Sequence, residues 1–143
     1  MFIVLIGYNM PKVIDIEGIG PVYAKKLNEA GIKTTDDLLK AGATAKGREE
    51  LATKIGFDNK HILEWVNRSD LYRIKGVGRQ YSDLLENAGV DTVVELSNRV
   101  PENLLAKMLE VNAVKKLVRR PPPLSFVKNW VEQAKKLKRV VEY

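Results

Sequence analysis

A short stretch occurs twice in this chain, and this repeat limits the available folds more than any other feature. The first copy spans residues 16–32 and reads IEGIGPVYAKKLNEAGI, and the second spans residues 74–90 and reads IKGVGRQYSDLLENAGV. Each position of the second copy lies 58 residues after its counterpart in the first. A repeat at a constant offset predicts two similar structural units.

Each copy predicts a tight turn that leads directly into a helix. The turns are Gly18-Ile19-Gly20, called here the first glycine turn, and Gly76-Val77-Gly78, the second glycine turn. Glycine permits backbone angles and close approaches that a side chain forbids. Tyr23, Leu27 and Ala30 then follow at helical spacing, as do their counterparts in the second copy. Gly31 and Gly89 follow these helices, as is common where a helix stops in a left-handed cap.

The rest of the chain also predicts helices. Thr34 and Asp37 form a capping box at a helix start, and a similar pair recurs at Thr92 and Glu95. The apolar periodicity predicts further helices at about 45–55, 59–69, 101–111 and 125–138, with a short turn of helix at 114–118 and an extended connector at the prolines 121–123. We therefore expect an all-α protein.

The glycine turns, with Ala24 four residues after Gly20, resemble the hairpin of the helix-hairpin-helix family. The chain from about residue 10 to 143 also resembles a bacterial and archaeal family of tandem helix-hairpin-helix proteins catalogued as a domain of unknown function. The segments that carry this second resemblance are Ile74–Gly78, Tyr81–Leu85, Ala88–Val93, Arg119–Pro121 and Trp130–Ala134.

The resemblance implies two helix-hairpin-helix units, similar to SAM domains, packed as one compact body. Their expected boundaries are residues 10–70 and 71–143, after an apolar extension at 1–9. In the helix-hairpin-helix family, backbone N–H groups of the turn hold a nucleic-acid phosphate, often with a monovalent cation on the carbonyls. We expect no other cofactor and no bound metal.

The positive charge of the chain is concentrated at its C-terminal end. The formal net charge is +6, and residues 112–143 alone hold nine Lys or Arg against two acids, whereas residues 1–111 are close to neutral. A basic block attracts polyanions such as nucleic acids. A solvated helix face that carries lysines for solubility explains the same charges equally well.

Composition argues against several other classes of function. There are no cysteines, and His61 is the single histidine, so it can form neither a metal site nor a catalytic triad by itself. We therefore expect no enzymatic activity.

The apolar residues 1–6 are too short to span a membrane and lack the features of a signal peptide, so we expect a cytoplasmic protein. They predict a short strand, which could pair with the strand-like tail 139–143 within one chain or between copies of a homo-oligomer.

The expected function is sequence-independent nucleic-acid binding, with DNA favoured over RNA. Lys75 and Arg79 flank the second glycine turn and attract a phosphate, whereas Glu17 beside the first turn repels one. The candidate contacts are Gly18, Ile19, Gly20, Lys25, Lys26, Lys75, Gly76, Val77, Gly78, Arg79, Arg119, Arg120, Lys135 and Lys136.

Other roles for these residues remain open at this stage. The glycine turns can serve only to connect packed helices, and Arg119 and Arg120 can form ion pairs with acids of the first unit. The rival function is a protein-interaction or self-assembly module, because a fold of this kind does not by itself determine function.

Overall fold

The computed structural model describes residues 11–143, and within them the protein is all-α, as the sequence predicted. A short 3-10 turn at Val13–Asp15 precedes the helices, and the β-structure of this range is limited to an isolated bridge between Lys12 and Thr34. None of the helices in this range is long and apolar enough to cross a lipid bilayer. The helices are α1 (Pro21–Glu29), α2 (Thr35–Ala41), α3 (Ala45–Ile55), α4 (Asn59–Leu71), α5 (Arg79–Asn87), α6 (Val93–Ser97), α7 (Pro101–Lys115) and α8 (Leu124–Lys136).

The two glycine turns have the same backbone geometry. In the first turn, the N–H of Ile19 donates to the carbonyl of Ile16 at 3.1 Å, and the equivalent bond of the second turn has the same length. The first glycine of each turn has a positive φ, +98° at Gly18 and +96° at Gly76. Residues that carry a side chain rarely adopt such φ angles, so the repeat requires glycine at these two positions.

Two hydrophobic clusters form the interior. The first cluster consists of buried residues between Val13 and Val66, joined by Val141 from the end of the chain. The second cluster consists of buried residues between Leu71 and Ala134. Helix α4 packs against α2 and α3 in the first cluster, and α8 packs against α6 and α7 in the second. Each cluster therefore covers one copy of the repeat.

A buried tryptophan packs against the first glycine of each glycine turn. The Nε1 atom of Trp65 lies 3.6 Å from the place that a Cβ would occupy at Gly18, and Nε1 of Trp130 lies 3.2 Å from the same place at Gly76. Trp65 belongs to α4 and Trp130 to α8, so the last helix around each cluster closes onto its turn. The two tryptophans hold equivalent positions, although the proline connector separates them by more than the repeat offset.

Helices α4 and α5 join the two halves. Arg68 of α4 forms ion pairs with Asp83 at 3.0 Å and Glu86 at 2.8 Å, and all three side chains are largely buried. Burial raises the pKa of Glu86. The carboxylate of Asp70, near the end of α4, accepts the N–H of Val93 at the start of α6. These contacts fix the second copy of the repeat relative to the first.

The long helix α7 departs from the sequence prediction. It continues to Lys115, whereas the periodicity predicted an end near 111 and a separate turn of helix at 114–118. Lys116 then adopts a left-handed conformation with φ of +51°. The side chain of Asn112 bonds both the N–H and the carbonyl of Val118, which holds the chain reversal that ends the helix.

The C-terminal tail returns to the first cluster, and residues 139–143 form no strand, although the sequence suggested one. Val141 is buried, and the N–H of Glu142 donates to the carbonyl of Ala43 at 2.7 Å. The buried guanidinium of Arg48 donates to the carbonyl of Glu142, also at 2.7 Å, and to that of Gly42. Within the described residues, the tail thus bonds to the loop at Ala43 and to the side chain of Arg48. The strand that was predicted to pair with the tail, at residues 2–6, lies outside the described residues, as does the whole extension 1–9.

Candidate nucleic-acid interface

Helices α1 and α5 begin differently from α2, α3, α4 and α6. Side chains at Thr34, Thr44, Asp58 and Thr92 cap α2, α3, α4 and α6 by accepting a backbone N–H of the first turn. Helices α1 and α5 instead begin after Gly20 and Gly78, which have no side chain for this purpose. Their first N–H groups therefore remain available and carry the positive end of the helix dipole.

The second glycine turn offers more consecutive backbone N–H groups to a ligand than the first turn does. No acceptor among residues 11–143 bonds the N–H groups of Gly78, Arg79 and Gln80. In the first copy, Pro21 stands at the position equivalent to Arg79 and has no N–H to offer. An anion at the start of α5 can thus be met by successive N–H groups, the arrangement that binds phosphates at helix N-termini.

Two arginines from the proline connector line the same place. Arg119 and Arg120 border an open cleft of about 480 Å³ together with residues 78–81, and we call this region the arginine cleft. The hydroxyl of Tyr81 donates to the carbonyl of Arg120 at 3.1 Å, which fixes the connector against α5. Within residues 11–143, neither arginine lies in an ion pair, so the alternative role, pairing with acids of the first unit, is not seen in this range.

Helix α8 braces the second turn through Gln133. Its Oε1 accepts the N–H of Lys75 at 2.8 Å, and its Nε2 donates to the carbonyl of Lys75 at 3.0 Å and to Asn129. The side chain of Lys75 is left exposed beside the turn. Because one side chain bonds both backbone groups of Lys75, the residue before Gly76, the conformation of the second turn is held by contacts within the protein itself.

The two glycine turns lie next to each other and share an ion pair. Nε of Arg79 donates to Oε2 of Glu17 at 2.9 Å, and this bond raises the pKa of Arg79. Close by, the hydroxyl of Tyr72 donates to the carbonyl of Asp15 at 2.9 Å, and burial raises the pKa of Tyr72 to about 12. Arg79 and Glu17 were expected to act separately on a phosphate, one by attraction and one by repulsion, whereas in the structure the two charges pair with each other.

The five predicted lysines lie outside the arginine cleft, Lys75 beside the second turn and the other four on α1 and α8. Nζ of Lys26 sits over the ring of Tyr23, 5.2 Å from its centre. Lys25 is exposed on the same helix, and Lys135 and Lys136 occupy the last turn of α8, where Lys135 lies 3.7 Å from Glu132. The buried members of the turns, Ile19 and Val77, each belong to a hydrophobic cluster, so only their backbone can contact a ligand.

Gln133 was not predicted as a site residue, although its position in the sequence indicates such a role. Gln133 follows Trp130 by three residues and therefore lies on the same side of α8. Since Trp130 packs beneath Gly76, a polar side chain one turn further on reaches the backbone beside that glycine. Gln80 was also not predicted. It contributes a backbone N–H and lines the cleft, and the type of its side chain indicates neither role.

The geometry defines an all-α protein with two adjacent glycine turns, one of which opens into a basic cleft. A family model described as a domain of unknown function, DUF4332, matches residues 17–137, and the chain belongs to this family. The matched range contains both turns, the arginine cleft and Gln133. No curated protein and no solved structure matches the chain.

Proposed function

We propose that this protein is a non-enzymatic, sequence-independent nucleic-acid-binding protein made of two tandem helix-hairpin-helix units. The second glycine turn and the arginine cleft are its principal contact with the nucleic-acid backbone. The observation that carries the proposal is that N–H groups at the start of α5 and the guanidinium groups of Arg119 and Arg120 line one cleft, and none of them has a bonding or ion-pair partner among residues 11–143.

Both kinds of donor suit phosphate oxygens. Guanidinium groups bind phosphates with paired hydrogen bonds, and N–H groups at a helix start add positive potential without any side chain. Phosphates carry no sequence information, so such contacts hold all sequences with similar strength. The resemblance to helix-hairpin-helix proteins favours DNA over RNA as the partner.

The first glycine turn contributes less to the proposed interface. Pro21 removes one donor at the start of α1, and the carboxylate of Glu17 stands beside the turn. Lys25 and Lys26 add positive charge to α1, but Lys26 is directed over Tyr23. The first turn therefore serves as a secondary phosphate contact that supports the second.

Replacing Gly78 with valine tests the proposal without disturbing the fold. A Cβ at Gly78 meets no atom within 4 Å, and φ is −106°, an angle open to any residue. The added side chain stands where a phosphate would approach the N–H groups. We expect affinity for a fluorescently labelled DNA duplex at low salt to fall about tenfold, the effect of roughly one lost charged hydrogen bond.

Gly20→Val is the matched control, because Gly20 also has open space at its Cβ and an ordinary φ of −87°. Its expected effect is about twofold or less, about the size of a weak exposed electrostatic contact. Circular dichroism should show both variants folded. Equal affinity in Gly78→Val and the unchanged protein would contradict the assignment of the second turn as the main contact.

Protein association is the second candidate function, and exposed apolar residues on α7 favour it. Leu109 is 44% exposed and Val114 is 80% exposed. Large apolar side chains that are exposed to water often belong to protein interfaces. Sedimentation velocity over a range of protein concentrations separates the candidates: self-association that Val114→Ser abolishes, without any DNA binding, supports this second function.

A further inference from the structure

The two copies of the repeat differ in charge at neighbouring positions, and these positions meet in space. Glu17 occupies the position of Lys75, and Pro21 occupies the position of Arg79. The acid that is special to the first copy and the arginine that is special to the second form the ion pair of 2.9 Å. The pair thus links the two glycine turns through the residues in which they differ.

We propose that Glu17 acts as an internal competitor for phosphate, which occupies Arg79 and thereby limits the affinity of the arginine cleft. The inference rests on the proposed function, because the competing ligand is the phosphodiester backbone of a nucleic acid. Arg79 is the first residue of α5 and also lines the arginine cleft. A carboxylate on its guanidinium takes the place that a phosphate oxygen would otherwise fill.

The exposure of the pair allows this exchange. The side chain of Arg79 is 55% exposed and that of Glu17 is 46% exposed, so water and ions reach both. Exposed ion pairs of this kind are weak and are easily exchanged for another partner. A polyanion can therefore draw Arg79 away, provided that its other contacts offset the loss of Glu17.

Glu17 cannot easily move away from the cleft. The carbonyl of Asp15, two residues earlier, accepts the hydroxyl of Tyr72, and Ile16 between them is fully buried. Because the backbone is held on the second half of the molecule, the carboxylate stays near Arg79 after the pair opens. It remains in position to take Arg79 back, so the device favours ligands with several phosphates in a row over a single free phosphate.

Glu17→Gln tests the inference directly. We expect it to tighten binding to a labelled DNA duplex about twofold to fivefold at low salt, the factor that an exposed ion pair is typically worth. The log–log salt dependence should become more negative by up to about 0.9, since Arg79 contacts phosphate in a larger share of the complexes once Glu17 no longer competes. In a double-mutant cycle, Glu17→Gln should have little effect once Arg79→Gln is present, because the competition acts through Arg79.

Glu29→Gln is the control for the change in net charge, because Glu29 is an exposed acid at the far end of α1. An equal gain in Glu29→Gln and Glu17→Gln overturns the inference, as does a gain from Glu17→Gln that persists in the Arg79→Gln background. If the unchanged protein binds DNA and Glu17→Gln binds no better, the inference is wrong and the proposed function stands. If neither protein binds DNA, the proposed function is wrong and the inference falls with it.

Discussion

Replacing Gly76 with valine is expected to lower the free energy of unfolding by about 3 kcal/mol or more, from backbone strain and overpacking together. The backbone φ of +96° at Gly76 is unfavourable for a β-branched residue, and its Cβ would stand 3.2 Å from Nε1 of the buried Trp130. Urea-induced unfolding followed by circular dichroism measures the change. A loss of this size is a large share of the stability of a small protein.

Gly78→Val provides the matched comparison two residues away. It is expected to change the free energy of unfolding by less than about 1 kcal/mol, because its backbone angles are ordinary and its Cβ faces open space. The first glycine of the turn thus serves folding, and the second serves access to the N–H groups. Equal destabilisation by the two substitutions would contradict this division of roles.

Reversing both charges of the proline connector should cause the largest loss of binding. Arg119→Glu together with Arg120→Glu is expected to weaken duplex binding about a hundredfold at low salt, because each charged hydrogen bond contributes on the order of 1.5 kcal/mol. The log–log salt dependence should become less negative by about 1.8, from two lost phosphate contacts. Fluorescence anisotropy at several salt concentrations measures both quantities.

Lys135→Glu with Lys136→Glu changes the net charge by the same amount at a site outside the arginine cleft. If the cleft is the contact surface, this control loses far less affinity than the arginine variant and keeps most of the salt dependence. All four side chains are exposed, so both variants should remain folded. Equal losses in the two variants would show that overall charge, rather than the cleft, attracts the DNA.

The parts of the fold that the sequence predicted are those that depend on local backbone chemistry. Gly18 and Gly76 were recognisable because a positive φ requires glycine, and the constant offset showed that the requirement occurs twice. The Thr34 cap was predictable because its partner, Asp37, lies three residues away. Such features need only neighbouring residues to form.

The parts that were missed depend on contacts between distant residues. Nothing near Arg48 in the sequence indicates that its guanidinium holds the carbonyl of Glu142, and the apolar Val140-Val141 pair resembles a strand when seen alone. Helical spacing also does not show that Glu17 and Arg79 meet, because the pair forms only after α4 and α5 have packed. The arginine cleft was predicted as separate pieces, and the bond from Tyr81 to Arg120 brings them together.

The measurement that tests the central claim most directly is the salt dependence of DNA binding by the unchanged protein. Titrations of two unrelated duplex sequences and a single strand, between about 50 and 200 mM salt, give the affinity and the log–log slope. The proposed function predicts a dissociation constant of about 10⁻⁴ to 10⁻⁶ M for both duplexes and a slope of roughly −0.9 for each phosphate contacted. Absence of salt-sensitive binding to any nucleic acid at low ionic strength would contradict it, and the glycine turns would then be helix connectors in a protein-interaction module.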